Sequence, residues 1–507
     1  MRLYPVLLAV YPVVFSYAHN ASHFNLHPLS VLLAAAGAAL AVLASCLLAR
    51  RLMDDPNRAA LAVLVFWILF FTFGRVYFAL SGQRAVPPDP VLLAALLMAW
   101  TGVLALVVRA VVRTRRDLEP VSRFLNGAAV CLVLLVSFNL GAHAFQEGRV
   151  RDLHAQAEPE AETLQVQLSG GEPDIYYIIL DSYPSQETLK RHYGYDNEYF
   201  LEFLKDHGFY VASEARSNYP QTLLSLASSL NMRYLEELTE VPGRDSRDVT
   251  VPVSLLENNR VVEKLTGAGY GYVHFNSGWG PTVRNRHADI NHLGHPLATE
   301  FAEEILYSTP LALTLGGEAA RRRVESTFEH LPRLASQLEA PRFVFAHLIP
   351  PHPPYIFDGE GNPPARERLE MGDGRLWEDR KSYAGQVEYV NRRVKEVVES
   401  LLEPGPPDPV IIIQADHGTA QLGEREEGGW TDPDRDLFRE RTSILSAYYV
   451  PEAVKEELYP SITPVNSFRL VFDHLFGTQL GLLPDRVMFS SYARPFDIKD
   501  VTEELAR

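Results

Sequence analysis

The chain has 507 residues, of which 47 are Lys or Arg and 63 Asp or Glu, a formal net charge of −16. That acidity excludes a nucleic-acid surface, which needs clustered positive charge. The two cysteines, Cys46 and Cys131, lie in apolar runs, so the rest of the chain has no disulfide, thiolate metal site or cysteine nucleophile.

The charge is uneven, because residues 1–150 hold twelve arginines, no lysine and only six carboxylates. Five apolar stretches fill this part: Leu3–Tyr17, Leu29–Leu48, Ala59–Leu80, Val91–Val112 and Phe124–Phe145. The last four have the length of a bilayer-crossing helix, and the first reads as a shorter, tilted span. Residues 1–146 are therefore expected to form an all-α transmembrane bundle of about five helices. The connections after the second and fourth stretches carry Arg50, Arg51, Arg58, Arg113, Arg115, Arg116 and Arg123, whereas those after the first and third carry only Arg84. Positive loops stay inside, which puts the N-terminus inside and everything after residue 146 outside a cell membrane crossed several times. Arg75, near the outer end of the third stretch, is expected to snorkel to the headgroups.

Residues 147–172 are polar, end on Gly-Gly and read as a partly helical linker. From residue 173 to 507 apolar strands alternate with amphipathic helices. Strands are expected at Ile175–Leu180, Tyr272–Phe275, Phe343–Leu348, Val410–Gln414 and Ser443–Val450. Val387, Val390, Val394, Val397 and Leu401 recur at helical spacing. The fold class is thus α/β, a mostly parallel sheet flanked by helices. "GAGYGYV" at 267–273 follows a helix and enters a strand, the reverse of a nucleotide-binding glycine loop, so it reads as a helix stop.

Two strands end in carboxylates, "YYIILD" at Asp181 and "VIIIQADHG" at Asp416 and His417. Ligands bind beyond the carboxyl ends of strands in open α/β sheets, and two carboxylates with an imidazole suit a divalent metal. In "SNYPQTLLSLASSL", Pro220 is expected in the first turn of a helix, which puts Thr222 where free N–H groups and the helix dipole favour negative charge. A metal beside that hydroxyl would lower its pKa and make it a nucleophile. "AHLIPPHPPYIFDG" brings His347 and His352 beyond a strand end in a proline-stiffened loop, where an imidazolium would hold an anionic substrate oxygen.

These four segments, in this order, resemble the alkaline phosphatase/sulfatase superfamily, over about residues 173–500. With the helical anchor, the architecture is similar to the membrane-anchored lipoteichoic acid synthase and phosphoethanolamine transferase type. The resemblance implies Asp181, Thr222, Asp416 and His417 around one divalent metal, with Thr222 as nucleophile. It also implies His352 as ligand of the substrate anion, with His347 as the alternative. "HFNSGWGPTVRNRHAD" at 274–289 resembles a substrate segment of lipoteichoic acid synthases and offers Trp279, Arg286 and Arg284. The donor set suits Mn²⁺ or Zn²⁺ better than Ca²⁺, which takes about six to eight oxygens, with Mg²⁺ or Ca²⁺ as alternatives. Asp358 and the loop histidines are what the sequence offers toward a second ion. Formylglycine-dependent sulfatases start from Cys or Ser in a C/S-x-P-x-R motif, whereas Thr222 is followed by Leu-Leu-Ser. The expected function is transfer of a phosphoryl-alcohol headgroup from a membrane phospholipid to a glycan or lipid acceptor of the cell envelope. Hydrolysis by a related phosphodiesterase or phosphatase is the alternative, and a non-catalytic scaffold ranks last because all four ligand positions are filled.

The arginine asymmetry is testable. A reporter fused after residue 507 should be active only if it works outside the cytoplasm, and one fused near Arg116 only if it works inside. Protease resistance of the C-terminal part in intact cells stripped of any outer membrane would contradict this orientation.

Overall fold

The computed structural model describes residues 2–506 apart from 22–27, 83–84, 158–165, 167, 169, 241–242, 296–298, 316, 369–370, 373, 404–407, 423–429 and 431–432. The chain divides into two compact units, one of Met1–Arg149 with Leu297–Glu318, the other of Val150–Pro296 with Ala319–Arg507. Residues 147–157 of the 147–172 linker continue the fifth helix, whereas 158–165, 167 and 169 lie outside the described residues.

In the first unit α1 (Tyr4–His19), α2 (Pro28–Leu52), α3 (Pro56–Ser81), α4 (Pro90–Arg113) and α5 (Glu119–Ala157) follow one another. Asp55 and Asp89 cap α3 and α4 through their side chains, each followed by a proline at the first helical position, where the missing N–H removes no helical bond. Four of the five are long and apolar enough to cross a membrane. The first, with 16 residues, is shorter, so the five expected spans become four full-length helices and one short one. In α3 39% of the apolar window is buried, against 6 to 11% in the others. The third helix is therefore the hub, and the others turn exposed leucines and phenylalanines outward, as lipid requires.

The second unit is built on a seven-stranded sheet. Its strands are β1 (Ile175–Leu180), β2 (Tyr210–Val211), β3 (Gly271–Phe275), β4 (Ile290–His292), β5 (Arg342–Leu348), β6 (Val410–Gln414) and β7 (Ser446–Tyr449), in the order β2-β7-β6-β1-β5-β3-β4. β7 runs antiparallel to β6 and β2; the other pairs are parallel. Central β1, between β5 and β6, is buried at every residue, which is why it reads as an unbroken apolar run rather than an alternation. The helix Arg380–Leu401 buries Val387, Val390, Val394 and Val397 in the same core. β7 is shorter than Ser443–Val450, because Ser443 and Ile444 make only isolated bridges to Arg216 and Pro184. The two short strands β2 and β4 have too few residues to show a period.

The stretch Leu297–Glu318, expected in the C-terminal domain, belongs to the first unit. Its helix Glu300–Tyr307 packs on α1 and α3, with Phe301 edge-on to Tyr17 and Tyr307 edge-on to Phe78. Arg75 does not merely snorkel, since its Nη2 donates to Glu304 at 2.8 Å. Gly74 lets the backbones touch: its N–H donates to Ser308 O at 3.2 Å, and a Cβ there would lie 2.1 Å from Tyr307 O. Gly74→Val should therefore expel this segment and speed amide exchange across residues 300–309, whereas Glu304→Gln should alter exchange little, the ion pair being largely exposed. Unchanged exchange in Gly74→Val would show that the contact does not order the segment.

Candidate metal and nucleophile site

Asp181 directly follows β1, and Asp416 and His417 lie just past neighbouring β6, so the parallel pairing of the two strands delivers both carboxylates to one end of the sheet. All three residues are buried, and one ligand atom from each lies within 4.8 Å of the others. Thr222 opens the ten-residue helix Thr222–Asn231, with Gln221 at the N-cap, so Pro220 precedes the helix rather than lying in its first turn. Its Oγ1 is 3.0 Å from His417 Nε2. The structure thus brings together Asp181, Thr222, Asp416 and His417. Ser225, three residues along the same helix, is committed elsewhere, donating to Asp416 O at 2.6 Å.

The tautomer of His417 follows from its neighbours. Its Nδ1 is 2.9 Å from Gly418 O, a group that only accepts, so Nδ1 carries the proton and Nε2 offers a lone pair. The same Nδ1 meets Ser182 Oγ at 3.0 Å, and Ser182 donates to Asp181 Oδ1 at 3.1 Å. The Ser182 N–H donates to Asp416 Oδ1 at 3.0 Å. These bonds require Ser182 at φ 57, a left-handed conformation that costs a non-glycine residue about 1 kcal/mol or more. Tyr383 Oη, from the helix Arg380–Leu401, donates to Ser182 O at 2.8 Å and holds it there.

Gly418 is required by close approach. A Cβ there would lie 2.0 Å from Glu440 O and 3.0 Å from Ser443 O. Glu440, from the helix Arg435–Thr442, pins the following turn by accepting from Thr419 Oγ1, Gln421 N and Leu422 N at 2.6 to 2.8 Å.

The donor set fits a divalent cation. Asp416 Oδ2 and His347 Nε2 are buried without a hydrogen-bond partner among the described residues. Burial raises the pKa of both carboxylates, and for Asp416, pushed up to about 7, the charge of Asp181 adds to it. Two such anions side by side cost several kcal/mol each, roughly, without a compensating charge. A cation held by Asp181, Asp416, His417 and Thr222 would supply it.

His347 lies within β5 rather than beyond it, with Nδ1 2.9 Å from Thr282 Oγ1 and Nε2 3.4 Å from Asp181 Oδ2. Trp279 stands edge-on to it at 5.9 Å. Burial pushes His347 down to about 4 and lowers His352 as well. His352 is tied by its N–H to Asp181 O, its ring packs edge-on to Trp377, and Gln386 from the helix Arg380–Leu401 holds its carbonyl at 3.1 Å. Its Nδ1 donates to Pro353 O. Burial works against an imidazolium at His352, while the Asp181 carboxylate and this hydrogen bond work for it. Arg284 lines a small pocket with Tyr272, His274 and Asn285. Arg286 pairs with Glu257 and donates to Asn258 Oδ1. The Asp358 carboxylate accepts from Glu360 N and Asn362 N and closes its own turn. Two residues at the site were not anticipated, Ser182 and Arg441. Arg441 Nη2 lies 3.3 Å from His417 Nε2. An Arg some two dozen residues past "ADHG" carries no local pattern that marks it.

The sulfatase family profile matches residues 173–451, more than half of the chain. No curated protein matches it in sequence. Among solved structures, the C-terminal periplasmic domain of EptC from Escherichia coli, in complex with Zn, is 14% identical over 66% of this chain and 96% of that one, with a TM-score of 0.44. The integral membrane lipooligosaccharide phosphoethanolamine transferase A (EptA) from Neisseria meningitidis is 11% identical over 94% of both chains, with a TM-score of 0.40. Its soluble domain is 13% identical over 62% of this chain and 91% of that one, with a TM-score of 0.41.

The raised carboxylates set a pH dependence. Between pH 4 and about 7 the unfolded chain has released the Asp416 proton while the metal-free fold retains it. Stability of the metal-free protein should therefore fall as pH rises through this window, by at most about 1.4 kcal/mol per pH unit for one proton. Added Zn²⁺ or Mn²⁺ should flatten or reverse the slope, and Asp416→Asn should flatten it in chelator. Melting curves with chelator and with metal check this; superimposable profiles would mean that no cation binds here.

Proposed function

Because the chain belongs to the sulfatase family, we propose that it is a membrane-anchored, metal-dependent phosphotransferase. It takes a phosphoryl-alcohol headgroup from a phospholipid onto Thr222 and passes it to a glycan or lipid acceptor on the extracytoplasmic side. The observation that carries this reading is Thr222 Oγ1, placed at a helix start and 3.0 Å from the lone-pair nitrogen of His417, beside two buried carboxylates. The four long apolar helices support a phospholipid donor, since they keep the chain where that phosphodiester is abundant.

A divalent ion, Zn²⁺ or Mn²⁺ by the donor set, would stabilise charge on the hydroxyl oxygen and on the transferred group. The chain's own residues do the rest. The unpaired N–H groups and dipole of the helix Thr222–Asn231 favour a negative Oγ1. Oγ1 attacks phosphorus, the bond from phosphorus to the lipid oxygen breaks, and the lipid alcohol departs with a proton. The acceptor hydroxyl then attacks the same phosphorus and Oγ1 leaves. His352, whose Nδ1 is held by Pro353 O, accepts and returns the proton at Nε2. Holding the headgroup on Thr222 lets donor and acceptor use one cleft in turn. A formylglycine route has no precursor here, because threonine occupies the nucleophile position.

Thr222→Ala should lower headgroup release from a labelled phospholipid by at least about 10³-fold while the protein stays folded. Mass spectrometry of the wild type mixed with donor should find the added group on Thr222. Near-normal activity in Thr222→Ala would overturn the covalent route. Headgroup released to water with no glycan or lipid product would replace transfer by hydrolysis.

A further inference from the structure

Arg441 is the bulkiest fully buried side chain among the described residues. It closes the helix Arg435–Thr442, and its guanidinium reaches the metal and nucleophile site. Nη1 donates to Gly418 O at 2.8 Å, and Nη2 donates to Tyr492 Oη at 2.7 Å and lies 3.3 Å from His417 Nε2. The rings of Trp430 and Tyr492 lie 5.5 and 5.8 Å from Cζ. Nε is buried and has no partner among the described residues. Among the described residues, every hydrogen-bond acceptor the guanidinium meets is uncharged.

A guanidinium removed from water is ordinarily offset by an anion that it grips. Nε and Nη2 share one edge of the planar group, the edge that receives two oxygens of a phosphate. On that edge Nε is idle, and Nη2 leans on the His417 lone pair that faces the carboxylates and Thr222. A cation at that lone pair would leave both donors of the edge for a ligand. His352 has its Nδ1 spent on Pro353 O, so that nitrogen does not compete for an anion.

We infer that Arg441 grips the non-bridging oxygens of the phosphoryl group at this site, a role that rests on the phosphotransferase reading above. Gly418 O and Tyr492 Oη hold the two Nη groups while Trp430 and Tyr492 lie against the guanidinium, so the fork is set before the ligand arrives. The geometry gives Arg441 direct contact with the ligand and not a role through His417 alone.

Inorganic phosphate is the probe, titrated by calorimetry into the full-length, Zn²⁺-loaded protein in detergent, with bound zinc measured in parallel. Arg441→Gln should weaken phosphate binding at least tenfold at unchanged zinc content. Arg441→Lys keeps the charge and loses the fork, so it should fall between the two. Undiminished phosphate binding in Arg441→Gln, or no binding by the wild type, would overturn the assignment. If Arg441→Gln fails to fold or to hold zinc, Arg441→Lys decides: threefold or greater weakening at full zinc supports the fork, and wild-type binding refutes it. Arg441-dependent phosphate binding without any headgroup on Thr222 would discard the transferase mechanism and keep this anion site.

Discussion

Two carboxylates at the ends of neighbouring strands, both out of water and facing one histidine, form the constraint on which the site depends. Water would hydrate each anion, and the sheet takes that hydration away. The fold returns part of it through the Ser182 N–H and hydroxyl, but Asp416 Oδ2 is left without a donor. Such a pair is stable only with a proton or a cation between its members. The raised Asp416 shows the first solution, and the converging oxygens, nitrogen and Thr222 hydroxyl suit the second.

Much of the neighbouring structure answers to that pair. Ser182 accepts a left-handed backbone because both of its polar groups then face the site, and Tyr383 and the strand pairing hold it there. Gly418 accepts the carbonyls of Glu440 and Ser443 where any side chain would collide, which lets the helix Arg435–Thr442 close over the loop. Glu440 converts that closure into three hydrogen bonds on the turn that follows His417. Strain and close packing are thus concentrated within a few residues of the ligands, where a displaced side chain would matter most for chemistry.

The strand-end carboxylates were legible in sequence because a buried parallel strand is an unbroken apolar run, and its end is marked by the first charged residue. Thr222 was legible for a similar reason, as a hydroxyl residue just after a proline and before a helical period. The segment Leu297–Glu318 was not, since no composition break separates it from its neighbours and only its packing on α1 and α3, at Gly74 among other points, assigns it to the first unit. Ser182 and Arg441 escaped because their roles depend on backbone conformation and on a helix brought back from 24 residues beyond His417. The tie of Arg286 to the end of a nearby helix through Glu257 was equally invisible, because the two residues lie 29 positions apart.

Charge at the site is divided unequally between residue types. Burial works against positive charge on His347, His352 and His417. The guanidinium of Arg441 carries a charge that does not depend on a proton that the working pH range could remove. An anion arriving at the cluster would otherwise meet two carboxylates, and like charges in a poorly screened pocket repel strongly. A cation neutralising the carboxylates removes that repulsion, but a compact ion does not orient a tetrahedral group. A planar fork held by Gly418 O and Tyr492 Oη beside two aromatic rings does. Attraction and orientation are therefore separable in this site: the first belongs to the cation that the carboxylates require, the second to an arginine whose desolvation only a bound anion fully offsets.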